Sequence, residues 1–333
     1  MTPGRWSEWL DCGRYAPSGH NTQPWLVQPL SETEADLYYV PRRLLPVEDP
    51  RGRFTASFLG VFVEALNVAA AADGTSVSLV EAPAAIDMAP GDEPRLYGRL
   101  RTGDAPTTTL ERSLLFTRRT SRLPFDGRTA PAAAADELVA TAAEFGHVAR
   151  LFDDPDTVRW VVGLNADTVF YDLEEDDRRD EIELWTHFTN GDAERAGDGF
   201  SPRCLGFPGP LLRLFFRHHG LLRGSAQRGA LRRLYLRSMH GTAHVGYLKA
   251  VWQTQQQCFD SGRLLLRIWL GLTQRGLVLH PFGSVVTNAR SHAELLERLG
   301  DDEGDDEIWL LFRLGYSAEP PAAARLEREV LLR

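Results

Sequence analysis

Cysteine is scarce in this chain of 333 residues, which contains only Cys12, Cys204 and Cys258. Their odd number and wide spacing exclude the disulfide framework of a small secreted protein and give no zinc-binding pattern. The longest apolar stretches are interrupted by charged residues, so we expect no membrane span. The first residues carry Arg5 and Asp11 among the apolar ones, which is unlike a signal peptide. These absences lead us to expect a cytoplasmic protein.

Lysine is rarer still, because Lys249 is the only one and arginine supplies the rest of the positive charge. The net charge of −9 disfavours a general nucleic-acid-binding surface, and we expect no nucleic-acid partner. No dinucleotide-binding glycine motif, Walker loop or nucleophile elbow is present. His240 and His244 stand four residues apart without a third ligand in a known pattern, so we expect no metal site.

What the chain does contain is a run of turn-forming and polar residues at positions 16–25, with the sequence APSGHNTQPW. Pro17 has no backbone N–H, and Gly19 allows unusual backbone angles. Ser18 and Asn21 can bond either the backbone or a ligand. A turn with free N–H groups and small polar side chains suits an anionic or heteroaromatic ligand. An ordinary loop between a helix and a strand explains the same residues equally well.

Two later segments also carry groups suited to binding. Residues 118–122, RRTSR, are predicted to lie on a helix that starts near Leu110, and their guanidinium and hydroxyl groups can bind phosphate oxygens. A solvated basic turn is the alternative. Residues 276–284, GLVLHPFGS, are typical of a helix cap followed by a strand and a turn, which explains Gly276 but not Pro281. A lone charge, Arg325, lies near the C-terminus, where an exposed position on a polar tail would also explain it.

The pattern of apolar residues predicts an α+β fold with antiparallel-dominated sheets and long central helices. Residues 54–72 and 256–274 are apolar on most helical faces, and each segment is followed by a glycine and a predicted strand. This shared order indicates two related halves, which we place at residues 1–109 and 110–333. Residues 83–109 are predicted to form the connection between them.

The three motifs resemble those of the FMN-dependent nitroreductase superfamily. APSGHNTQPW resembles the family's APS-x-x-N-x-QPW motif, which wraps the flavin, and RRTSR resembles the RRS-x-R motif, which holds the FMN phosphate. Residues 276–284 resemble the GL-x-x-x-P loop beside the flavin ring, although Gly283 stands where an acidic residue is commoner. The resemblance implies FMN as the cofactor and the following cofactor-binding residues: Pro17, Ser18, Gly19, Asn21, Arg118, Arg119, Thr120, Arg122, Pro281, Phe282, Gly283, Ser284 and Arg325.

The flavin-wrapping turn occurs once, in the first half, whereas the other two motifs lie in the second half. This distribution resembles the fused single-chain (Acg-like) branch of the superfamily, in which one chain imitates the family homodimer and keeps one pocket. The resemblance implies a nitroreductase-like α-β-α fold and a monomer with an internal pseudo-dimer. It further implies an FMN-dependent oxidoreductase that passes electrons from NAD(P)H to a nitroaromatic, quinone or related small molecule. No catalytic side chain is implied.

Residues 195–250 match the family least, and we interpret them as a lid or insertion over the flavin pocket. Within them, residues 211–237 mix arginines with apolar side chains, and the acidic run 172–183 offers partners for those arginines. An interfacial membrane helix or a docking surface for an acidic electron-transfer partner is the alternative. A closed lid would favour a flavin-storing protein without turnover. A pathway-specific flavin oxidase or dehydrogenase is the third hypothesis.

Overall fold

A computed structural model describes residues 4–80, 85–218, 225–300 and 306–333. The helices in these ranges are α1 (Arg5–Gly13), α2 (Arg53–Ala71), α3 (Ser113–Thr117), α4 (Ala132–Glu144), α5 (Pro155–Glu174), α6 (Asp176–Leu184), α7 (Asn190–Ala196), α8 (Pro202–Leu205), α9 (Gly209–Arg217), α10 (Ser225–Ser238), α11 (Gln255–Gln274), α12 (Gly283–Thr287), α13 (Ala289–Leu299) and α14 (Arg328–Leu331). The strands are β1 (Trp25–Pro29), β2 (Glu34–Tyr39), β3 (Ser76–Leu79), β4 (Arg95–Gly103), β5 (Val148–Phe152), β6 (His244–Val251), β7 (Val278–Pro281) and β8 (Asp306–Gly315).

The strands form two four-stranded sheets with the same internal order. The first sheet runs β1-β2-β4-β3 and the second runs β5-β6-β8-β7. Every neighbouring pair of these strands is antiparallel. In each sheet, the first two strands precede a long helix, α2 or α11, and the last two strands follow it. The predicted α+β class with antiparallel sheets and long central helices is therefore confirmed.

The two long apolar helices predicted from the sequence, α2 and α11, pack against each other through glycines. A Cβ atom added at Gly60 would lie 1.9 Å from the carbonyl oxygen of Phe259, and one at Gly262 would lie 1.8 Å from that of Ser57. A shift of 202 residues relates Gly60 to Gly262 and Ser57 to Phe259. The two contacts therefore exchange partners, as they do across the twofold axis of a symmetric dimer.

Helix α2 is the one helix in the described ranges that is long and apolar enough to cross a membrane by length and composition alone. However, 83% of its most apolar window is buried inside the fold. Residues on nearly every face of α2 belong to the core, including Phe62 and Leu66. Its apolar character is therefore explained by its burial in the core, where it packs against α11.

The predicted connection at residues 83–109 is wrong, because it contains β4. This nine-residue strand pairs with both β2 and β3 and so lies inside the first sheet. The proline and glycine residues that bound the strand favour a loop when the sequence is considered alone. Tyr97, Gly98 and Leu100 are its only buried residues, and Arg95, Arg99 and Arg101 reach solvent.

The predicted insertion at residues 195–250 also extends too far. Residues 244–250 belong to β6, which lies between β5 and β8 in the second sheet. The earlier part of this segment forms α8, α9 and α10 beside the candidate site described below. Residues 219–224, within the basic stretch 211–237, lie outside the described residues.

The predicted pairing of the basic stretch with the acidic run holds at one position. Arg228 forms an ion pair with Glu174. Arg232 instead pairs with Asp167, with a distance of 2.7 Å between Nε and Oδ1, just before the acidic run. Both contacts attach α10 to α5, so this stretch packs as part of the fold.

Candidate functional site

A cavity of about 390 Å³ is lined by both halves of the chain. The first half contributes Pro17, Ser18 and Gly19 from the turn at residues 16–25. The second half contributes Thr120 and Arg122 from the RRTSR segment and all four residues of the loop at 281–284. The structure thus brings together three motifs that are far apart in the sequence. We call this space the main cavity.

A second cavity of about 90 Å³ adjoins the main one, since Pro17, Ser18, Thr120 and Arg122 line both. We call it the arginine pocket, because its walls include Arg118, Arg119, Arg122 and Arg325. Asn21 lines this pocket as well. Every residue assigned to cofactor binding from the sequence therefore faces one of two connected spaces.

Arg118 is the most deeply placed cation of the arginine pocket, with only 4% of its surface exposed. Its Nη2 donates to the carbonyl oxygen of Tyr15 at 3.2 Å, but Nε and Nη1 have no acceptor among the described residues. The guanidinium lies 4.6 Å from the ring centroid of Trp269. Burial, together with the charges of Arg325 and Arg119, holds the pKa of Arg118 well below its usual value.

Arg325 reaches the same pocket from the C-terminal segment. Its Nη1 donates to Asn21 Oδ1 at 2.6 Å, its Nη2 donates to the Tyr15 carbonyl at 3.4 Å, and its Nε has no acceptor among the described residues. Burial lowers the pKa of Arg325 to about 10. The Tyr15 carbonyl oxygen therefore gathers two guanidinium groups, which would repel each other in the absence of an anion.

The other two arginines complete an uncompensated positive site. Arg122 donates to the Cys204 carbonyl at 3.3 Å and lies 5.3 Å from the ring centroid of Phe200, and burial lowers its pKa. Arg119 donates to the backbone carbonyls of Phe116 and Arg118. Within the described ranges, none of the pocket's arginines pairs with a carboxylate. A cluster of buried donors without an acceptor has the chemistry of an anion-binding site.

The RRTSR segment was predicted to lie on a helix, but α3 ends at Thr117 and the segment itself is extended. Thr120 forms a parallel bridge with Leu279 on β7, and the Ser121 N–H donates to the Leu279 carbonyl at 3.2 Å. Extended backbone turns successive side chains to opposite sides. Thr120 and Arg122 accordingly line the main cavity, whereas Ser121 is fully buried.

The turn at residues 16–25 is held in a strained conformation by contacts with the second half. His20, Asn21 and Gln23 have φ angles of 46°, 58° and 50°, which non-glycine residues adopt only when the surroundings enforce them. Gln23 Nε2 donates to the Gly197 carbonyl at 2.8 Å, and its Oε1 accepts from the Leu326 N–H at 3.0 Å. The second half therefore determines the shape of the first-half turn.

Asn21, which we assigned to cofactor binding, has its amide engaged by the protein. Its Nδ2 donates to the carbonyls of Gly199 and Ala324, at 3.2 Å and 3.0 Å, while its Oδ1 accepts from Arg325. The side chain therefore orients Arg325 and ties the turn to the C-terminal segment. This positioning role requires the folded chain and is not visible in the motif alone.

The loop after β7 presents backbone to the main cavity. The Phe282 N–H donates to the Leu311 carbonyl at 2.7 Å, which fixes the loop to β8. Gly283 begins α12, and a Cβ added there would meet no protein atom within 4 Å. Among the described residues, no side chain occupies the space in front of Gly283, which leaves it open to a ligand.

His20 is a cavity residue that the sequence analysis did not assign. Its Nε2 lies 3.2 Å from Glu48 Oε1, and both side chains line the main cavity. Burial alone would lower the pKa of His20, but Glu48 raises it above its usual value. Burial would likewise raise the pKa of Glu48, but His20 lowers it. The two groups therefore form a buried ion pair.

Tyr15, Phe200 and Trp269 were also missed. Trp269 lies on α11, contacts Arg118 and lines the main cavity, and its Nε1 has no acceptor within the described chain. Phe200 lines both spaces and lies against His20 and Arg122. No spacing in the sequence marks these aromatic residues, since they reach the site through the packing of distant segments.

Comparison with known proteins gives no family model that matches this chain and no match among curated proteins. Solved structures with a similar arrangement include the FMN-dependent nitroreductase NfnB from Mycobacterium smegmatis in complex with NADPH, at 14% identity and a TM-score of 0.40. The likeness covers 66% of this chain and 95% of that one.

A nitroreductase with bound FMN from Bacteroides fragilis NCTC 9343 has 13% identity and a TM-score of 0.36, over 65% of this chain and 92% of its own. A BluB-like flavoprotein from Clostridium difficile 630 has 10% identity and a TM-score of 0.38, over 66% and 95%. At these values the likeness says nothing about ligand or activity, which have to be argued from the site.

Proposed function

We propose that this chain binds FMN across the junction of its two halves and acts as a flavin-dependent oxidoreductase of the nitroreductase type. The observation that carries the proposal is the arginine pocket, whose buried guanidinium groups have donors without acceptors and no carboxylate partner among the described residues. A phosphate dianion would accept from Arg118 and Arg325 and compensate their charge. The adjoining main cavity offers the space that a planar ring system needs.

Different residues of the chain would bind the phosphate and the ring system of FMN. Arg118, Arg122 and Arg325 would hold the phosphate, with Thr120 adding a hydroxyl at the passage between the two spaces. The backbone at Gly283 would lie against the ring, because no atom of the described chain lies within 4 Å of a Cβ placed there. When bound, FMN would accept hydride from NAD(P)H and pass it to a nitroaromatic or quinone acceptor. The largely apolar walls would exclude water from that exchange.

The internal symmetry supports the further proposal that one chain takes the place of a homodimer. The exchanged glycine contacts between α2 and α11 and the identical order of the two sheets are features of an isologous interface. The turn at residues 16–25 and the RRTSR segment belong to different halves, so the site is shared in the manner of a subunit interface. We infer a monomer of the fused (Acg-like) type with one flavin site.

The decisive experiment measures FMN binding and flavin reduction separately. The purified protein is titrated with FMN, binding being followed by quenching of flavin fluorescence, and the complex is then mixed with NADH or NADPH without oxygen. We expect binding, bleaching of the flavin absorbance, and its return on addition of a quinone. Failure to take up FMN would overturn the assignment of the site.

A flavin-storing role is the second candidate, and the observation that favours it is that α9 lines the main cavity with Leu212, Phe215 and Phe216. The same experiment separates the two functions. A protein that binds FMN but is not bleached by either nicotinamide would be a flavin-storing protein or would use another electron donor. Rapid bleaching followed by reoxidation would exclude storage as the function.

A further inference from the structure

The main cavity combines an extensive apolar wall with a small acidic corner. The helices α8, α9 and α10 and the turn between α8 and α9 contribute mainly apolar side chains, namely Leu205, Phe207, Leu212, Phe215, Phe216 and Leu231. Tyr235 on α10 also lines the cavity, and its hydroxyl accepts from Asn165. Carboxylates line the cavity at a single corner, where Glu48, Asp49 and Asp172 occur. A ligand beside the flavin would therefore meet an apolar surface and, at one end, negative charge.

Two of these carboxylates are already compensated. Glu48 forms the ion pair with His20. Asp49 accepts from the Phe54 and Thr55 N–H groups at 3.1 Å and 2.7 Å, and from the Thr55 hydroxyl, so it caps the beginning of α2. Both carboxylates already have partners within the protein, so neither is the main acceptor for a ligand.

Asp172 differs in its ionic partner, because its nearest cation is closer to another carboxylate. Its side chain is 1% exposed, and Oδ1 accepts from Asn288 Nδ2 at 2.9 Å. Oδ2 has no well-aligned hydrogen-bond partner among the described residues, although the Ser284 hydroxyl lies near the carboxylate and lowers its pKa. The nearest cation, Arg178, lies 3.7 Å from Oδ1 and is shared with Glu175, to which its Nε is closer at 2.9 Å. A buried acceptor of this kind on a cavity wall can take a donor from a ligand.

We propose that the second substrate of this protein is an apolar molecule carrying a protonated amine, which donates to Asp172 Oδ2. An ammonium group suits this position better than a neutral hydroxyl, because it adds positive charge beside a buried carboxylate whose nearest cation is shared with Glu175. Burial raises the pKa of Asp172 to about 6, against the effect of Asn288, so the carboxylate is ionised at pH 8. The inference rests on the proposed function only in that FMN occupies the part of the cavity next to the arginine pocket.

The test compares three aromatic ligands of nearly equal size: naphthylmethylamine, naphthylmethanol and naphthoate. Their affinities for the FMN-loaded protein are measured at pH 8 by calorimetry and by perturbation of the flavin spectrum. We expect the amine to bind at least tenfold more tightly than the alcohol and the carboxylate to bind most weakly. Equal affinities for the amine and the alcohol would overturn the proposal.

The variant Asp172→Asn should abolish the preference for the amine while leaving the affinity for naphthylmethanol within about twofold, which also shows that the cavity is intact. Asp156→Asn is the matched control, since Asp156 lies on the same helix with a side chain that is 84% exposed. A preference that persists in Asp172→Asn, or a loss of FMN affinity in that variant, would overturn the assignment of Oδ2 to the substrate. If the protein takes up no FMN, the proposed function fails, whereas the amine preference is still measured by calorimetry on the apoprotein.

Discussion

Replacing Arg118 with methionine should increase the free energy of unfolding of the apoprotein and weaken its binding of FMN. Methionine keeps much of the length of the side chain against Trp269 but removes a buried charge that has no carboxylate partner among the described residues. Most substitutions of buried residues reduce stability and function together. A gain in apoprotein stability together with a loss of FMN affinity is expected only if the guanidinium is held in place for an anionic ligand.

The magnitude follows from the donors that the phosphate would use. Nε and Nη1 of Arg118 are both free of acceptors in the described chain, and a hydrogen bond to a charged group contributes about 1.5–3 kcal/mol. Losing two of them should cost about 3–6 kcal/mol, or roughly 10²- to 10⁴-fold in Kd. In the apoprotein, removal of the buried charge outweighs the lost bond to Tyr15, and we expect about 1–3 kcal/mol of added stability.

The assay is a denaturant titration of the apoprotein beside an FMN titration of the folded protein, both performed on each variant. Arg101→Met is the control, because Arg101 lies on β4 with a side chain that is 56% exposed and pairs with Glu34; it should change neither quantity appreciably. Arg118→Lys keeps the charge but not the planar fork and should also bind FMN poorly. A variant Arg118→Met that is less stable than the native apoprotein and still binds FMN normally would refute the reasoning.

Two further predictions concern the core and the acidic corner. Gly60→Ala and Gly262→Ala should each destabilise the fold by about 3 kcal/mol or more, because the new Cβ would overlap a backbone carbonyl. Gly229→Ala on α10 is the control and should stabilise the fold by about 0.5–1 kcal/mol. Denaturant midpoints that shift alike in all three variants would contradict the close packing of α2 against α11. The pKa of Asp172 rises from 3.8 to about 6 on folding. The stability that this shift contributes is fully present below pH 4 and is lost as the pH rises through 6. The loss at pH 8 is roughly 3 kcal/mol. Asp172→Asn should therefore lose less stability than the native protein between pH 4 and pH 8, and parallel curves would contradict this.

Much of the fold could be predicted because its strongest signals are local. Helix α2 is apolar on nearly every face, and α11 is apolar except on the face that carries Asp260, Arg263 and Arg267. They end before Gly74 and Gly276, both of which have positive φ angles. Such a pattern indicates buried helices without any knowledge of their partners. Strand β4 was missed because its pairing with β2 and β3 is a long-range property, while its own residues alternate arginine with small apolar segments.

The candidate site was predictable to the extent that its chemistry lies within short motifs. Guanidinium groups at positions 118–122 and the turn at 16–25 are visible in the sequence, and the structure brings them to the same pair of cavities. Asn21 orients Arg325 through a contact between residues more than a hundred positions apart. The position of the Asp172 carboxylate likewise depends on its contact with the distant Asn288. Neither residue type nor spacing records such contacts.

The arginine pocket depends on a segment that crosses from one half of the chain to the other. After β8, the C-terminal segment returns to the first half, where Leu332 bridges Val27 and the Leu326 N–H donates to Gln23. This crossing places Arg325 beside the Tyr15 carbonyl, which Arg118 also reaches.

An anion that accepts from both arginines would therefore join three segments of the chain that otherwise place like charges side by side. Binding and docking of the C-terminal segment should consequently be coupled. FMN would stabilise the whole fold by RT ln(1 + [L]/Kd) and protect that segment most. Amide hydrogen exchange at residues 322–327, measured with and without FMN, should show the largest protection there and little change in β3, which contributes no residue to either cavity.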